Sequence, residues 1–220
     1  MFDNRIYALD TRLLHEKNAY RDIRSTLTEE RQTKADRFIF EKDRLLSAAA
    51  GILLDKALSD YSVVDRRIAY GEHGKPYLAA DCGVHFNLSH SEHLAVCAVS
   101  NRRVGIDTEQ IRTFEDDLAA FVYHESEIEQ VKRLSGTEPP DRLFTTLWTV
   151  KESVMKYFGT GLSLAPKELT VTFGDIVTAQ CARYDTTSLG FTTFEENGYM
   201  ITVCSEYAPF SSGIQYVEKG

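Results

Sequence analysis

"VGIDTEQIR", residues 104–112, sets two acids one residue apart at the end of a short apolar run. Successive side chains of a strand point to opposite faces, so Val104 and Ile106 go to one side and Asp107 and Glu109 to the other. Two carboxylates held that close repel unless one takes a proton or a cation lies between them. A hard divalent ion such as Mg2+, bound through oxygen, meets that need. An isolated D-x-E more often describes a solvated strand edge, and what separates the two is a matching group elsewhere in the chain.

"LWTVKESVMKYFGTG", residues 147–161, offers such a group. Its spacing predicts a helix whose buried stripe is Leu147, Val150, Val154 and Phe158, with Trp148, Glu152 and Lys156 stacked at intervals of four on an adjacent face. Gly159 and Gly161 supply the stop. Glu152 with Lys156 is also an ordinary exposed i,i+4 pair, but the large Trp148 in the same row argues that this face is covered. A carboxylate and an amine at its edge suit a third metal ligand and a phosphate contact.

Before both segments, "HFNLSHSEHLAVCAVS" (residues 85–100) holds His85, His90 and His93 without an acid or cysteine at zinc-site spacing, so zinc is not expected. Ser89 and His90 are expected where the chain turns before a buried strand, offering a hydroxyl, an imidazole and backbone N–H groups to an anion. The apolar strand is predicted to turn at Asn101–Arg102 and return through "VGIDTE" as a hairpin. Further basic candidates for an anion are Arg31, Lys34, Arg37 and Lys75.

Farther out, Thr28 is placed to cap a short helix, and "EKDRLLSAAAGILLDKAL" (residues 41–58) carries Leu45, Ala49, Ile52, Leu53 and Ala57 at helical spacing. "RRIAYGEHGKPYLA" reads as strand, turn, strand. A helix is predicted over 125–134, and a hairpin centred on Asn197–Gly198. Helices followed by antiparallel strands, twice over, give an α+β chain of two halves.

The chain has 220 residues, 43% hydrophobic and 26% charged, with a formal net charge of −8. These values describe a globular protein with no cationic excess for nucleic acid. Neither a signal-like N-terminus nor an 18-residue apolar run occurs, so a cytoplasmic protein without membrane contact is expected. Cys82, Cys97, Cys181 and Cys204 stand singly and suggest neither zinc nor disulfides.

"GKP" (74–76), "FNLSHS" (86–91), "VGIDTE" (104–109) and "WTVKESVMKYFGTGL" (148–162), in this order and spacing, resemble the 4′-phosphopantetheinyl transferases of the Sfp type, over about residues 28–165. The resemblance implies two similar α/β halves, residues 1–102 and 103–220, related by pseudo-twofold symmetry with the active site between them. It implies transfer of the 4′-phosphopantetheine arm of coenzyme A to a serine of an apo acyl or peptidyl carrier protein, leaving 3′,5′-ADP. By the same resemblance Asp107, Glu109 and Glu152 are Mg2+ ligands and Lys156 holds the pyrophosphate. Ser89, His90 and Lys75 contact the nucleotide end of coenzyme A, with Arg31, Lys34 and Ser47 near its 3′-phosphate. Glu127 supports the ligands from behind, and Glu152, directly or through water, accepts the serine proton.

A monomer is expected. The carrier is expected on segment 113–123, through Phe114, Leu118, Phe121 and Val122, unless these pack into the chain's own core. Two rival readings are a non-catalytic coenzyme A or carrier-binding module and another Mg2+-dependent nucleotide-using transferase. The second is disfavoured because no glycine-rich phosphate loop occurs, and the first because all three acids are present.

Overall fold

The computed structural model describes residues 4–14, 19–114, 116–206, 210 and 213–217. Asn197 (φ 52°) and Gly198 (φ 81°) both adopt the left-handed backbone that a tight hairpin turn requires. They join β9 (Leu189–Glu196) to β10 (Tyr199–Glu206) in antiparallel register. On the other edge of β10 lies β6 (Val104–Gln110), so one sheet runs β6-β10-β9.

The first part of the chain builds the same arrangement. There β4 (His85–Ser91) and β5 (Leu94–Ser100) form the hairpin, and β1 (Arg5–Asp10) flanks β5. A short parallel strand, β11 (Ile214–Tyr216), completes the order β11-β1-β5-β4. In each half the flanking strand comes first. Short helices follow, α1 (Ala19–Arg24) and α2 (Glu29–Asp36) in one half, α4 (Asp116–Val122) and α5 (Glu125–Leu134) in the other. Next come a long helix, α3 (Glu41–Asp60) or α6 (Pro140–Phe158), a two-stranded ribbon and the hairpin. The ribbons are β2 (Ile68–Tyr70) with β3 (Pro76–Leu78), and β7 (Leu169–Thr172) with β8 (Thr178–Cys181). Element order and strand order thus repeat.

Strand alternation distributes the core. Tyr7, Leu9, Ala95, Cys97 and Val99 face α3, whereas Ile6, Ala8, Val96 and Ala98 meet Val104, Ile106, Ile201 and Val203 across the gap between the sheets. Behind the second sheet, Leu147, Val150 and Val154 of α6 are fully buried. The layers are helix, sheet, sheet, helix. Among the described residues no helix is long and apolar enough to cross a membrane.

Two local expectations are corrected. β5 and β6 form no hairpin, because both edges of β5 are taken by β1 and β4, and the chain crosses at residues 101–103 into the other sheet. Their apolar faces meet between sheets instead of side by side, and an apolar run alone does not distinguish the two. Ser89 and His90 lie within β4, and the turn comes after them, at Glu92 (φ 52°).

The seam between β4 and β6 has an unusual construction. The Ile106 N–H donates to Asn87 Oδ1 (2.8 Å), the Thr108 N–H to Ser89 Oγ (3.4 Å) and the Gln110 N–H to Ser91 Oγ (3.3 Å). Alternate side chains of β4 therefore satisfy alternate amides on the edge of β6 that a neighbouring strand would otherwise serve.

Candidate active site

Gly105 sets how closely α6 approaches the acidic strand. A Cβ there would overlap the Ser153 carbonyl oxygen and stand 2.6 Å from the Tyr157 nitrogen, so only glycine lets the helix lie directly on β6. The helix begins with Pro140 in its first turn and ends at Gly159 in the left-handed conformation (φ 73°). Glu152 and Lys156 are thereby held against Asp107.

Asp107 is 2% exposed. Its Oδ1 accepts from Lys156 Nζ (2.5 Å) and Ser89 Oγ (2.8 Å), while Oδ2 is buried with no hydrogen-bond partner. Lys156 Nζ also donates to Ser89 Oγ (2.7 Å). Glu109 accepts from Ser91 Oγ (2.7 Å), and the nearby Trp148 indole favours its charged form. Burial, then the Asp107 charge, raises the Glu109 pKa above the usual carboxylate range. The same two causes push Glu152 up to about 7, against the pull of Lys156. The three acids thus act on one another, and one lysine does not offset them. Among the described residues no three His, Cys, Asp or Glu side chains stand ready-made as a metal cluster. The buried, unpartnered Oδ2 and an all-oxygen donor set nevertheless fit a hard divalent cation such as Mg2+.

A cleft of about 270 Å³ opens beside the acids and shares Ser89 and Lys156 with them. Arg31, Lys34, Ser47 and His90 also line it, so five of the six residues expected at the nucleotide end of a ligand lie together. Crowding by the surrounding protein lowers the pKa of Lys34, with Arg31 adding, and that of His90, with Lys156 and Lys34 adding, although both residues keep exposed surface. Ser47 Oγ is buried without a partner. Mutually repelling cations around an unsatisfied hydroxyl describe a receptor for an anion.

Lys75 is the sixth, and its ammonium is not in this cleft. It donates to Val104 O and Tyr157 O, each at 3.1 Å, fastening the β2–β3 ribbon to the start of β6 and the end of α6. Burial, then Arg103, lowers its pKa to about 8. Its neighbour Pro76 does line the cleft.

Glu127 is likewise elsewhere. Fully buried, it accepts from Val171 N (2.7 Å), His124 N (2.8 Å) and Lys151 Nζ (2.6 Å). Lys151 in turn donates to Leu169 O (2.8 Å) and Pro166 O (3.0 Å). This pair braces α5, α6 and β7 inside the second half instead of supporting the acids from behind. Sequence reasoning missed Lys151. The available signal was a charged residue four positions after Leu147, in line with the apolar stripe, together with an acid that had no other assignment. It also missed Ser91, whose signal is its two-residue step from Ser89, matching the step from Asp107 to Glu109.

Of the expected carrier surface, Leu118 (47%) and Phe121 (77%) are exposed, whereas Val122 is buried. Phe114 packs against the rings of Tyr123 and Phe144, each at 5.8 Å.

Comparison with known proteins bears on this geometry. The family described as the 4′-phosphopantetheinyl transferase superfamily matches residues 103–204, and that described as 4′-phosphopantetheinyl transferase, N-terminal, matches residues 15–102. The 4′-phosphopantetheinyl transferase gsp of Aneurinibacillus migulanus is 31% identical over 150 residues, covering 67% of this chain and 62% of that one, just under two thirds of its length. A 4′-phosphopantetheinyl transferase of Bacillus subtilis is 29% identical over 87% of both chains, and the transferase Sfp of Bacillus subtilis strain 168 is 27% identical over 88% of both. The two family matches between them contain every residue of the acidic cluster and of the cationic cleft, and on that footing the chain belongs to the 4′-phosphopantetheinyl transferase superfamily.

Proposed function

We propose that this enzyme transfers the 4′-phosphopantetheine arm of coenzyme A to a serine of an apo acyl or peptidyl carrier protein, releasing 3′,5′-ADP in a Mg2+-dependent reaction. The observation that carries this is the junction formed by Lys156 and Ser89, which bond to the buried Asp107 carboxylate and also line the cationic cleft. Arg31, Lys34, Ser47 and His90 bind the nucleotide end and its 3′-phosphate. Lys156, at the junction, turns from Asp107 to the pyrophosphate when that anion arrives and stabilises the departing phosphate. Asp107, Glu109 and Glu152 would hold Mg2+, which supplies neutralisation of the charge on the phosphates. Glu152, on the helix face beside Asp107, is the carboxylate placed to accept the proton of the carrier serine, directly or through a water. Leu118 and Phe121 present an apolar face to the carrier, since a protein of charge −8 gains no long-range attraction for an acidic partner. The enzyme works as a monomer in the cytoplasm, a reducing compartment that suits its four unpaired cysteines.

The test is incubation with coenzyme A, Mg2+ and an apo carrier, followed by mass spectrometry. A gain equal to the phosphopantetheine arm on the carrier serine is expected. Binding of coenzyme A with no mass gain on any carrier class would instead indicate a non-catalytic binding module.

A further inference from the structure

Asp107 and Glu109 are held by different means. Asp107 has Lys156 on one oxygen and is almost fully buried. Glu109 lies farther along β6, only partly buried, with no cation in an ion pair among the described residues. A longer side chain with more rotamers must be ordered there. Ser91 Oγ from β4 of the first half donates to it at 2.7 Å, and the Trp148 indole from α6 of the second acts favourably on its charge. Ser91 is fixed in its turn, because its oxygen accepts the Gln110 N–H (3.3 Å). Trp148 is fixed by packing on the core of the second half. It stands one helical turn before Glu152 on the same helix.

We infer that Ser91 and Trp148 are positioning residues that together hold the Glu109 carboxylate in its metal-binding orientation. This rests on the proposal that the three acids hold the metal. Groups behind a metal ligand restrict its rotamers and aim its lone pairs, and losing one typically weakens metal affinity about tenfold or more. The arrangement also makes the first half a contributor to a metal site whose acids all belong to the second half.

The experiment uses Mn2+ alone as probe, with no coenzyme A. Free Mn2+ is followed by electron paramagnetic resonance, and the emission of Trp148, the one tryptophan of the chain, is followed in parallel. The parent protein is expected to bind Mn2+ saturably with quenching of Trp148, and Asp107→Ala to lose that binding. Ser91→Ala and Trp148→Phe should each bind about tenfold more weakly, whereas Ser91→Thr, which keeps the hydroxyl, should bind as the parent does. Trp148→Phe keeps the aromatic body, so it retains the packing if Ser91→Ala proves unstable. Parental Mn2+ affinity in both Ser91→Ala and Trp148→Phe, with Asp107→Ala still defective, would overturn the positioning role alone. Parental affinity in Asp107→Ala would overturn the metal assignment and the positioning role with it.

Discussion

Without metal, the Glu152 carboxyl keeps its proton up to about pH 7, because burial and the Asp107 charge both oppose its ionisation. In the unfolded chain it ionises near 4.5. Between these values the folded state holds a proton that the unfolded state has released, so stability falls as pH rises through the window. Above it the penalty is on the order of 3 kcal/mol. Glu152→Gln should therefore raise the Tm of the metal-free protein at pH 8 and leave it nearly unchanged at pH 4, while abolishing transfer. Thermal unfolding at the two pH values checks this, and an equal Tm shift at both would contradict it. In the cleft, Arg31→Ala should raise KM for coenzyme A while leaving kcat nearly intact, since contacts to an unreacting group contribute uniform binding. With dephospho-coenzyme A that penalty should vanish, and an equal loss with both donors would remove Arg31 from the 3′-phosphate. Asp107, Glu109, Glu152 and Lys156 could be read from the sequence because strand and helix periodicities assign each a face. Lys75, Glu127 and Lys151 could not, because their partners include groups in other elements that only the tertiary fold brings near.

At the level of elements, helical and strand periodicity served well wherever an element's neighbours are local. α5 covers Glu125–Leu134 as its pattern indicates, and the Asn197–Gly198 turn joins two adjacent strands. Periodicity failed at the step from β5 to β6, where a strand buried on both faces gives no sign of which sheet the next strand enters. It also divided segment 113–123 imperfectly. Val122 turns inward and Phe114 joins an aromatic cluster, leaving Leu118 and Phe121 to face outward. The double variant Leu118→Ala with Phe121→Ala should raise the Michaelis constant for the carrier about tenfold, the range for losing apolar interface anchors. That for coenzyme A should not change. An unaltered carrier constant, or a matching rise for coenzyme A, would move the docking surface elsewhere.

For the whole molecule, the decisive feature is that neither half contains all the residues of the proposed site. Arg31, Lys34, Ser47, Ser89 and His90 come from the first half and the three acids with Lys156 from the second. The side-chain bonds of Asn87, Ser89 and Ser91 to the edge of β6 set the register in which the two sets meet. Two groups of opposite sign, each unfavourable when empty, become complementary once a nucleotide and a metal occupy them together. Coenzyme A and Mg2+ should therefore bind with positive coupling, which must be reciprocal. The most direct measurement is calorimetric titration of coenzyme A into the parent protein and into Asp107→Ala, each with and without saturating Mg2+. Coenzyme A should bind the parent at least fivefold more tightly with Mg2+ present, and Asp107→Ala should show no such difference. Identical affinities with and without Mg2+ in the parent would mean that the acids and the cleft do not form one site.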